Sequence, residues 1–270
     1  MSMGKQRIGI TNSLRDNWVA EFEKTIAAGK YVPFLRTQDV SSFGIRARVP
    51  CPYDQGRVYH TMSFNETLTL TDLLRDPAIV DIKEQYPVTD IEKSRAFANA
   101  MGIRHPRYMW SAVDSIITWD FLCTLIDGTI RVISVKPKSL LTDKRTEEKM
   151  ELEGVLADSL GYEYKITTDE DIRTEKTRNL LRVKRGAKLT SELEAFYPRW
   201  FKAFVKAIKK HQHETLSFSI ALLAKKLHIQ YNQSFTLMQH AFWKQHVISS
   251  DLLPLRPESS PYLLEVASNV

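Results

Sequence analysis

Cysteine is scarce in this sequence: only Cys51 and Cys123 occur in 270 residues. They lie far apart and form no C-x-x-C pair, so the sequence excludes a cysteine-based zinc site and offers no disulfide framework. No apolar run approaches the length of about 20 residues that crosses a bilayer, and the N-terminal segment lacks the apolar core of a signal peptide. These absences predict a reduced, cytoplasmic protein without a membrane segment.

The charge of the chain is unevenly distributed. Residues 170–270 carry 16 Lys and Arg against 9 Asp and Glu, whereas residues 1–169 carry 22 against 23. The basic excess of the last third indicates a polyanionic partner such as nucleic acid. Solvated helices with surplus lysines would give the same count, so charge alone leaves both interpretations open.

The first 170 residues alternate between helix and strand patterns. We predict helices at 11–29, in NETLTLTDLLRDP with Asn65 as N-cap, at 91–101 and at 142–160, and strands at 46–63 (two short ones), AIVDIKEQYPV, ITWDFLCTLI, TIRVISVKP and YEYKITTD. This order predicts an α/β domain at 1–170 whose sheet is covered by helices.

Strand patterns almost vanish in residues 171–270, which we predict to form a second domain. Three helical segments precede VISSDLLPLRPESSPYLLEV, which has the composition of a small β wing, and together they predict a winged helix-turn-helix. A small helical bundle that contacts proteins is the alternative. Arg199, Lys202 and Lys206 would serve either purpose, whereas Trp200 is expected in the core.

One hairpin carries the residues that point to chemistry. Asp120 interrupts an otherwise apolar strand, and a carboxylate there is costly unless it is paired or holds a metal ion. Ser134 and Lys136 lie two residues apart on the next strand and therefore share a face. A two-residue turn at Asp127–Gly128 would put Asp120 on the wrong face, so we predict a three-residue loop or a bulge.

A carboxylate and a lysine on one patch suit hydrolysis of a phosphodiester. The carboxylate would bind a hard divalent cation, and the lysine would orient water or stabilise negative charge. Glu66 is the best candidate for a second carboxylate, although a helix N-terminus alone would also explain its position. Equally, Asp120 could bond to backbone or arginine, and Lys136 could extend to water.

A series of segments resembles the TnsA family, the endonuclease subunits of heteromeric cut-and-paste transposases. In order over about residues 30–170, these segments are GRVYHTMSFNE, IVDIKEQYPV, GIRHP, TWDF, SVKP and DKRTEEKMELE. The resemblance implies a PD-(D/E)xK restriction-endonuclease-like fold, which has a mixed sheet flanked by helices. The same resemblance implies Mg²⁺-dependent cleavage (Mn²⁺ as substitute) at the 5′ ends of a transposon. It also implies three partners: double-stranded transposon-end DNA, a TnsB-like DDE transposase and a TnsC-like ATPase.

The resemblance also assigns roles to individual residues. Glu66 and Asp120 are the expected metal-binding carboxylates and Lys136 the catalytic lysine. Ser134 replaces the glutamine or acidic residue of related proteins, so it is expected to assist through a water, with the Val135 carbonyl as a direct metal ligand. For Glu153, a surface pair with Lys149 is preferred over an outer-sphere role.

Two further readings of the sequence remain. The same core would suit a stand-alone restriction or repair nuclease, which needs no partner to cut DNA. A DNA-binding adaptor with a decayed nuclease core is the non-enzymatic alternative, and Ser134 is the feature in its favour. For Glu84 and Gln85, which match the family signature, the sequence suggests no physical role.

Overall fold

The computed structural model describes residues 9–39, 44–54, 56–249 and 253–267, with residue 263 described by its backbone alone. The chain forms two compact units: Met1–Cys51 with Gly56–Ile172, and Pro52–Gln55 with Arg173–Val270. We call them the N-terminal unit and the C-terminal unit. The boundary follows Ile172, two residues beyond the position expected from the sequence. Among the described residues, no helix is long and apolar enough to cross a membrane.

The N-terminal unit contains the elements that the sequence patterns predict. In chain order they are α1 (Asn12–Ala27), β1 (Ala47–Pro50), β2 (Val58–Thr61), α2 (Phe64–Leu73), β3 (Ile79–Pro87), α3 (Ile91–Ala100), β4 (Thr118–Leu125), β5 (Ile130–Lys136), α4 (Lys144–Asp158), β6 (Glu163–Thr168) and α5 (Asp169–Ile172). The sequence patterns did not indicate the short helix α5 or the single 3-10 turn at Lys138–Leu140.

The central sheet has the strand order β3-β4-β5-β6. Its first two pairings are antiparallel and the β5–β6 pairing is parallel, so the sheet is mixed, as predicted. The parallel pair needs a crossover connection, and α4 provides it. Leu152 and Leu156 of α4 pack against Leu122 and Val132 of the sheet, which places α4 over the β4–β5 pair.

The β4–β5 hairpin has the loop that the site requires. Residues Phe121 and Ile133 pair directly, and the Leu125 amide donates to the Thr129 carbonyl, which leaves a three-residue loop at 126–128. Gly128 closes this loop with φ +87°, a conformation that glycine adopts without steric cost. When the pairing of Phe121 with Ile133 is continued by one residue, Asp120 lies opposite Ser134. The prediction that this is not a two-residue hairpin is therefore confirmed.

Helix α2 begins two residues earlier than expected. The N-cap is Ser63 and not Asn65, because the Ser63 hydroxyl accepts a hydrogen bond from the Glu66 amide at 3.1 Å. In return Ser63 Oγ donates to Glu66 Oε1 at 2.9 Å, so Glu66 is the third helical residue of a reciprocal cap. This cap fixes the direction of the Glu66 side chain.

The C-terminal unit is mainly helical. Its elements are α6 (Glu175–Val183), α7 (Ser191–Lys210), α8 (Leu216–Leu227), α9 (Tyr231–Trp243), β7 (Val247–Ser249) and β8 (Leu264–Val266). Helices α8 and α9 are joined by a tight turn in which His228 has φ +56°. Trp200 is completely buried and its indole N–H donates to Ser234 Oγ at 2.9 Å, so its predicted place in the core is confirmed.

The wing of the predicted winged helix is represented by two short strands. Strands β7 and β8 pair antiparallel, from Val247 opposite Val266 to Ser249 opposite Leu264. Part of the connection between them, residues 250–252, lies outside the described residues. The winged-helix assignment therefore stays a prediction.

Candidate active site

Asp120 and Lys136 meet at the end of the β4–β5 pair. The Lys136 ammonium lies 3.4 Å from Asp120 Oδ2, and the backbone amide of Val135 donates to the same oxygen at 2.7 Å. Strand β5 thus holds the Asp120 carboxylate through both its backbone and a charged side chain. The contact that the structure shows for Val135 involves its N–H, and the predicted role of its carbonyl as a metal ligand stays a prediction.

Glu66 reaches the same place from the first turn of α2. Its side chain is buried, and Oε2 accepts from the Met62 amide at 2.8 Å. The Gln85 amide nitrogen lies 3.3 Å from Glu66 Oε2 and 3.4 Å from Asp120 Oδ1, so it stands between the two carboxylates. The structure therefore brings together Glu66, Asp120 and Lys136, which are far apart in the sequence.

Gln85 is the site residue that sequence reasoning missed. It lies within β3 yet has φ +50°, a left-handed conformation that costs about 1–3 kcal/mol outside glycine. Its neighbours Glu84 and Tyr86 pair with Phe121 and Trp119, so Gln85 faces Asp120 across the strand pair. The unusual backbone sets where the amide side chain leaves the strand, and the family signature DIKEQYP was the only sequence signal for it.

Glu84, the residue before Gln85, supports this backbone conformation through contacts with β2 and with the residue that precedes β2. Its buried carboxylate accepts from the His60 amide at 3.1 Å and pairs with the Arg57 guanidinium at 3.3 Å. Burial raises the pKa of Glu84 to about 6, against the lowering effect of Arg57. Because these bonds tie β3 to β2 one residue before Gln85, Glu84 fixes the strand at the point where it departs from regular geometry.

The prediction of a surface pair between Glu153 and Lys149 is wrong. Glu153 is buried, since the face of α4 that carries it packs on the sheet. Its Oε2 accepts from the Ser134 hydroxyl and, at 3.1 Å, from the Tyr164 hydroxyl. Ser134 Oγ in turn lies 3.2 Å from the Lys136 ammonium. Ser134 therefore links the Glu153 carboxylate to the lysine.

The pKa values of Glu66 and Lys136 are both raised, but for different reasons. Burial, and then repulsion from the Asp120 carboxylate, raise the pKa of Glu66 to about 8. For Lys136, burial would lower the pKa, but the carboxylates of Asp120 and Glu153 outweigh it and raise the pKa above its ordinary value. At neutral pH the lysine is consequently a cation, and it cannot accept a proton.

The donor set fits a hard divalent cation. Glu66 and Asp120 offer carboxylate oxygens on either side of one polar amide, and Mg²⁺ is typically bound through one or two carboxylates while it keeps several waters. Within the described part of the chain, no group of three or more His, Cys, Asp and Glu side chains could hold a metal ion. Glu66 and Asp120 are only two such side chains, so an ion held by them would complete its coordination with waters.

A mixed sheet flanked by helices, with two carboxylates and a lysine gathered at one strand pair, fits a nuclease-like core. Comparison with known families agrees. The family described as TnsA-like endonuclease N terminal matches residues 76–169. This range includes Gln85, Asp120, Ser134, Lys136 and Glu153, and it begins after Glu66.

A curated relative gives the same result. The chain is 34% identical over 152 residues to the Transposon Tn7 transposition protein TnsA of Escherichia coli, a match that covers 56% of this chain and 54% of that protein. The matched region thus spans about half the length of the relative. Together the two matches confirm the resemblance to the TnsA family, which over residues 76–169 is a resemblance to its N-terminal endonuclease domain.

Proposed function

We propose that this protein is a Mg²⁺-dependent DNA endonuclease that cuts the 5′ ends of a transposon together with a TnsB-like DDE transposase. The observation that carries the proposal is the meeting of Glu66, Asp120 and Lys136 in a unit that resembles a TnsA-like endonuclease domain over residues 76–169. The relative is a transposition protein, which supports the transposon as the substrate. A TnsC-like ATPase is the proposed regulatory partner.

In this proposal each site residue has a separate task. Glu66 and Asp120 hold the divalent cation, the Val135 carbonyl is a further ligand, and Ser134 assists through a water. A cation held there supplies positive charge that polarises the scissile phosphate and makes water more acidic. Gln85 keeps the two carboxylates apart and directed at a common point, since one amide nitrogen contacts both.

Lys136 acts as a fixed positive charge. Because its pKa is raised, the ammonium orients the attacking water or stabilises the negative charge that develops on the phosphate, and another group must take the proton. Glu153 is a positioning residue in this scheme. It holds the Ser134 hydroxyl, and Ser134 lies against the ammonium, so Glu153 contributes to the orientation of Lys136.

The C-terminal unit offers a basic surface for DNA or for partner proteins. Arg199, Lys202, Lys206, Lys209 and Lys210 are all exposed on α7, at spacings of three and four residues that form one stripe along the helix. A stripe of cations along one helix face is typical of contact with a phosphate backbone. We propose that this stripe binds near the transposon end.

A pH dependence of cation binding follows from the raised pKa of Glu66. Below about pH 8 this carboxyl is mainly protonated, so an incoming cation must displace a proton. The affinity for Mn²⁺ should rise about tenfold per pH unit between roughly pH 6 and 8 and then level off. Calorimetric titration across this range measures it. Glu66→Gln should bind weakly and without this dependence, and a flat profile for the wild type would contradict the assignment.

Strand-specific cleavage tests the function itself. A transposon-end duplex labelled on either strand is incubated with Mg²⁺ and the protein, with and without a TnsB-like partner. We expect cutting at the 5′ end only when the partner is present. Cutting of plain duplex without the partner would instead identify a stand-alone nuclease, and absence of cutting in both arms would favour the non-enzymatic adaptor.

A further inference from the structure

The turn at residues 108–113 presents two large apolar side chains to solvent. Trp110 is 84% exposed and Met109 is 63% exposed, and Trp110 is the most exposed large hydrophobic side chain in the described ranges. Trp110 also has φ +59°, a left-handed conformation that is a genuine outlier for a bulky residue. Exposure and backbone strain together mark this tip as a functional surface.

The strained tip is supported by a closely bonded base. The Tyr108 amide donates to the Val113 carbonyl at 3.0 Å, and the Ser111 amide donates to the Tyr108 carbonyl at 3.2 Å. Below them the Asp114 carboxylate pairs with Arg107 at 3.2 Å and with Arg95 at 2.8 Å. The base thus fixes the direction of Trp110 before any partner binds, which reduces the entropy cost of binding.

The turn is connected directly to the candidate active site. In the segment that precedes the turn, the Arg104 carbonyl accepts a hydrogen bond from Arg145 Nη1 at 2.7 Å. This bond joins the segment to α4, the helix that carries Glu153. At its end the chain enters β4 and reaches Asp120. The segments on both sides of the turn also line a cavity of about 100 Å³ with Lys149 and Glu153. The segments that flank the turn therefore lie beside Glu153, the residue that holds Ser134.

Chain length limits how far the tip can be from the reaction. Ten residues separate Trp110 from Asp120, so their Cα atoms are at most about 36 Å apart, and the distance is smaller wherever the chain bends. That upper bound equals about ten base pairs of duplex DNA at 3.4 Å per pair. A base that the turn contacts would therefore lie within about one helical turn of a bond cut at Asp120.

We propose that Trp110 is a DNA-contacting side chain that stacks on a nucleobase within one helical turn of the cleaved bond. The inference rests on the proposed nuclease function. An indole with a free face stacks on any base, and Met109 adds an apolar edge that suits insertion at a base step. Exposed cationic side chains at Arg104 and Lys149 favour a nucleic acid over an apolar protein surface.

Affinity for end DNA in the absence of divalent ions tests the stacking without cleavage. Trp110→Ala should raise the Kd about 5- to 150-fold, the range that loss of one aromatic–base stack produces, whereas Trp110→Phe should retain most of the binding. Ile126→Ala is the matched control, because Ile126 is 75% exposed in the same unit, at the end of β4 remote from Asp120. This control should bind as the wild type does.

A fluorescent base locates the contact. With 2-aminopurine placed singly through the ten base pairs on either side of the cut, one position should change its fluorescence with the wild type and not with Trp110→Ala. Unchanged affinity of Trp110→Ala for DNA would overturn the inference, as would a loss confined to binding of the TnsB-like partner. If either result occurs while the wild type still cuts DNA, only the role of Trp110 is refuted and the proposed nuclease function stands. If the wild type never cuts DNA, the proposed nuclease function itself is refuted.

Discussion

Asp120→Ala should abolish 5′-strand cleavage, with a loss of at least about 1000-fold, because the variant removes a metal-binding carboxylate of the proposed site. In the structure the Asp120 carboxylate also contacts Lys136, the Val135 amide and Gln85. Cleavage of a labelled transposon end in the complete assembly measures the loss. Binding of Mn²⁺, followed by calorimetry, should weaken in parallel.

Two controls separate chemistry from folding in this experiment. Asp120→Asn keeps the shape of the side chain and removes its charge, so it should lose cleavage while its thermal unfolding resembles that of the wild type. Asp127→Ala removes an exposed aspartate from the loop at the other end of β4 and should cut normally. Cleavage by either Asp120 variant at the wild-type rate would refute the assignment of the site.

The hairpin shows how far sequence reasoning can reach. The need to put Asp120, Ser134 and Lys136 on one face excluded a two-residue turn, and the structure has the three-residue loop closed by Gly128. This prediction worked because side chains alternate between the two faces of a strand. A change of one residue in the length of the loop would therefore move every side chain of the second strand to the opposite face. The order of helices and strands similarly predicted the helix-covered sheet, whereas its mixed character was implied by the family resemblance.

Glu153 shows where the same reasoning fails. Lys149 and Glu153 are four residues apart on a charged helix, a spacing that usually describes a solvated pair. The sequence does not reveal which face of α4 packs on the sheet, and Glu153 lies on the packed face beside Ser134 and Tyr164. Its role depends on contacts across 11 and 19 residues of sequence, which helical spacing cannot encode.

Gln85 was inaccessible for a different reason. A strand pattern predicts alternating faces, and nothing in local propensity indicates that one residue takes φ +50°. The conformation is held by tertiary contacts, above all those of the buried Glu84 with Arg57 and the His60 amide. Such local departures from regular structure concentrate at functional sites. Gln85, which sequence reasoning could not explain, fits this tendency because it lies between the two carboxylates.

Lys136→Met should lower cleavage about 100- to 1000-fold, the cost of removing one donor that stabilises developing negative charge. Methionine keeps an unbranched apolar stem of similar length, so the variant tests the charge and not the packing. Lys138→Met is the matched control: Lys138 is exposed, lies two residues further on and pairs with Glu170. It should cut as the wild type does in the same labelled-end assay.

Cation binding distinguishes Lys136 from Asp120. The ammonium lies 3.4 Å from Asp120 Oδ2 and partly neutralises the acidic cluster, so its removal should leave the affinity for Mn²⁺ equal or higher. Asp120→Ala should instead lose both Mn²⁺ binding and cleavage. If Lys136→Met lost Mn²⁺ binding in proportion to cleavage, the lysine would serve only to build the site. Retained binding with lost cleavage would assign its charge to the reaction itself.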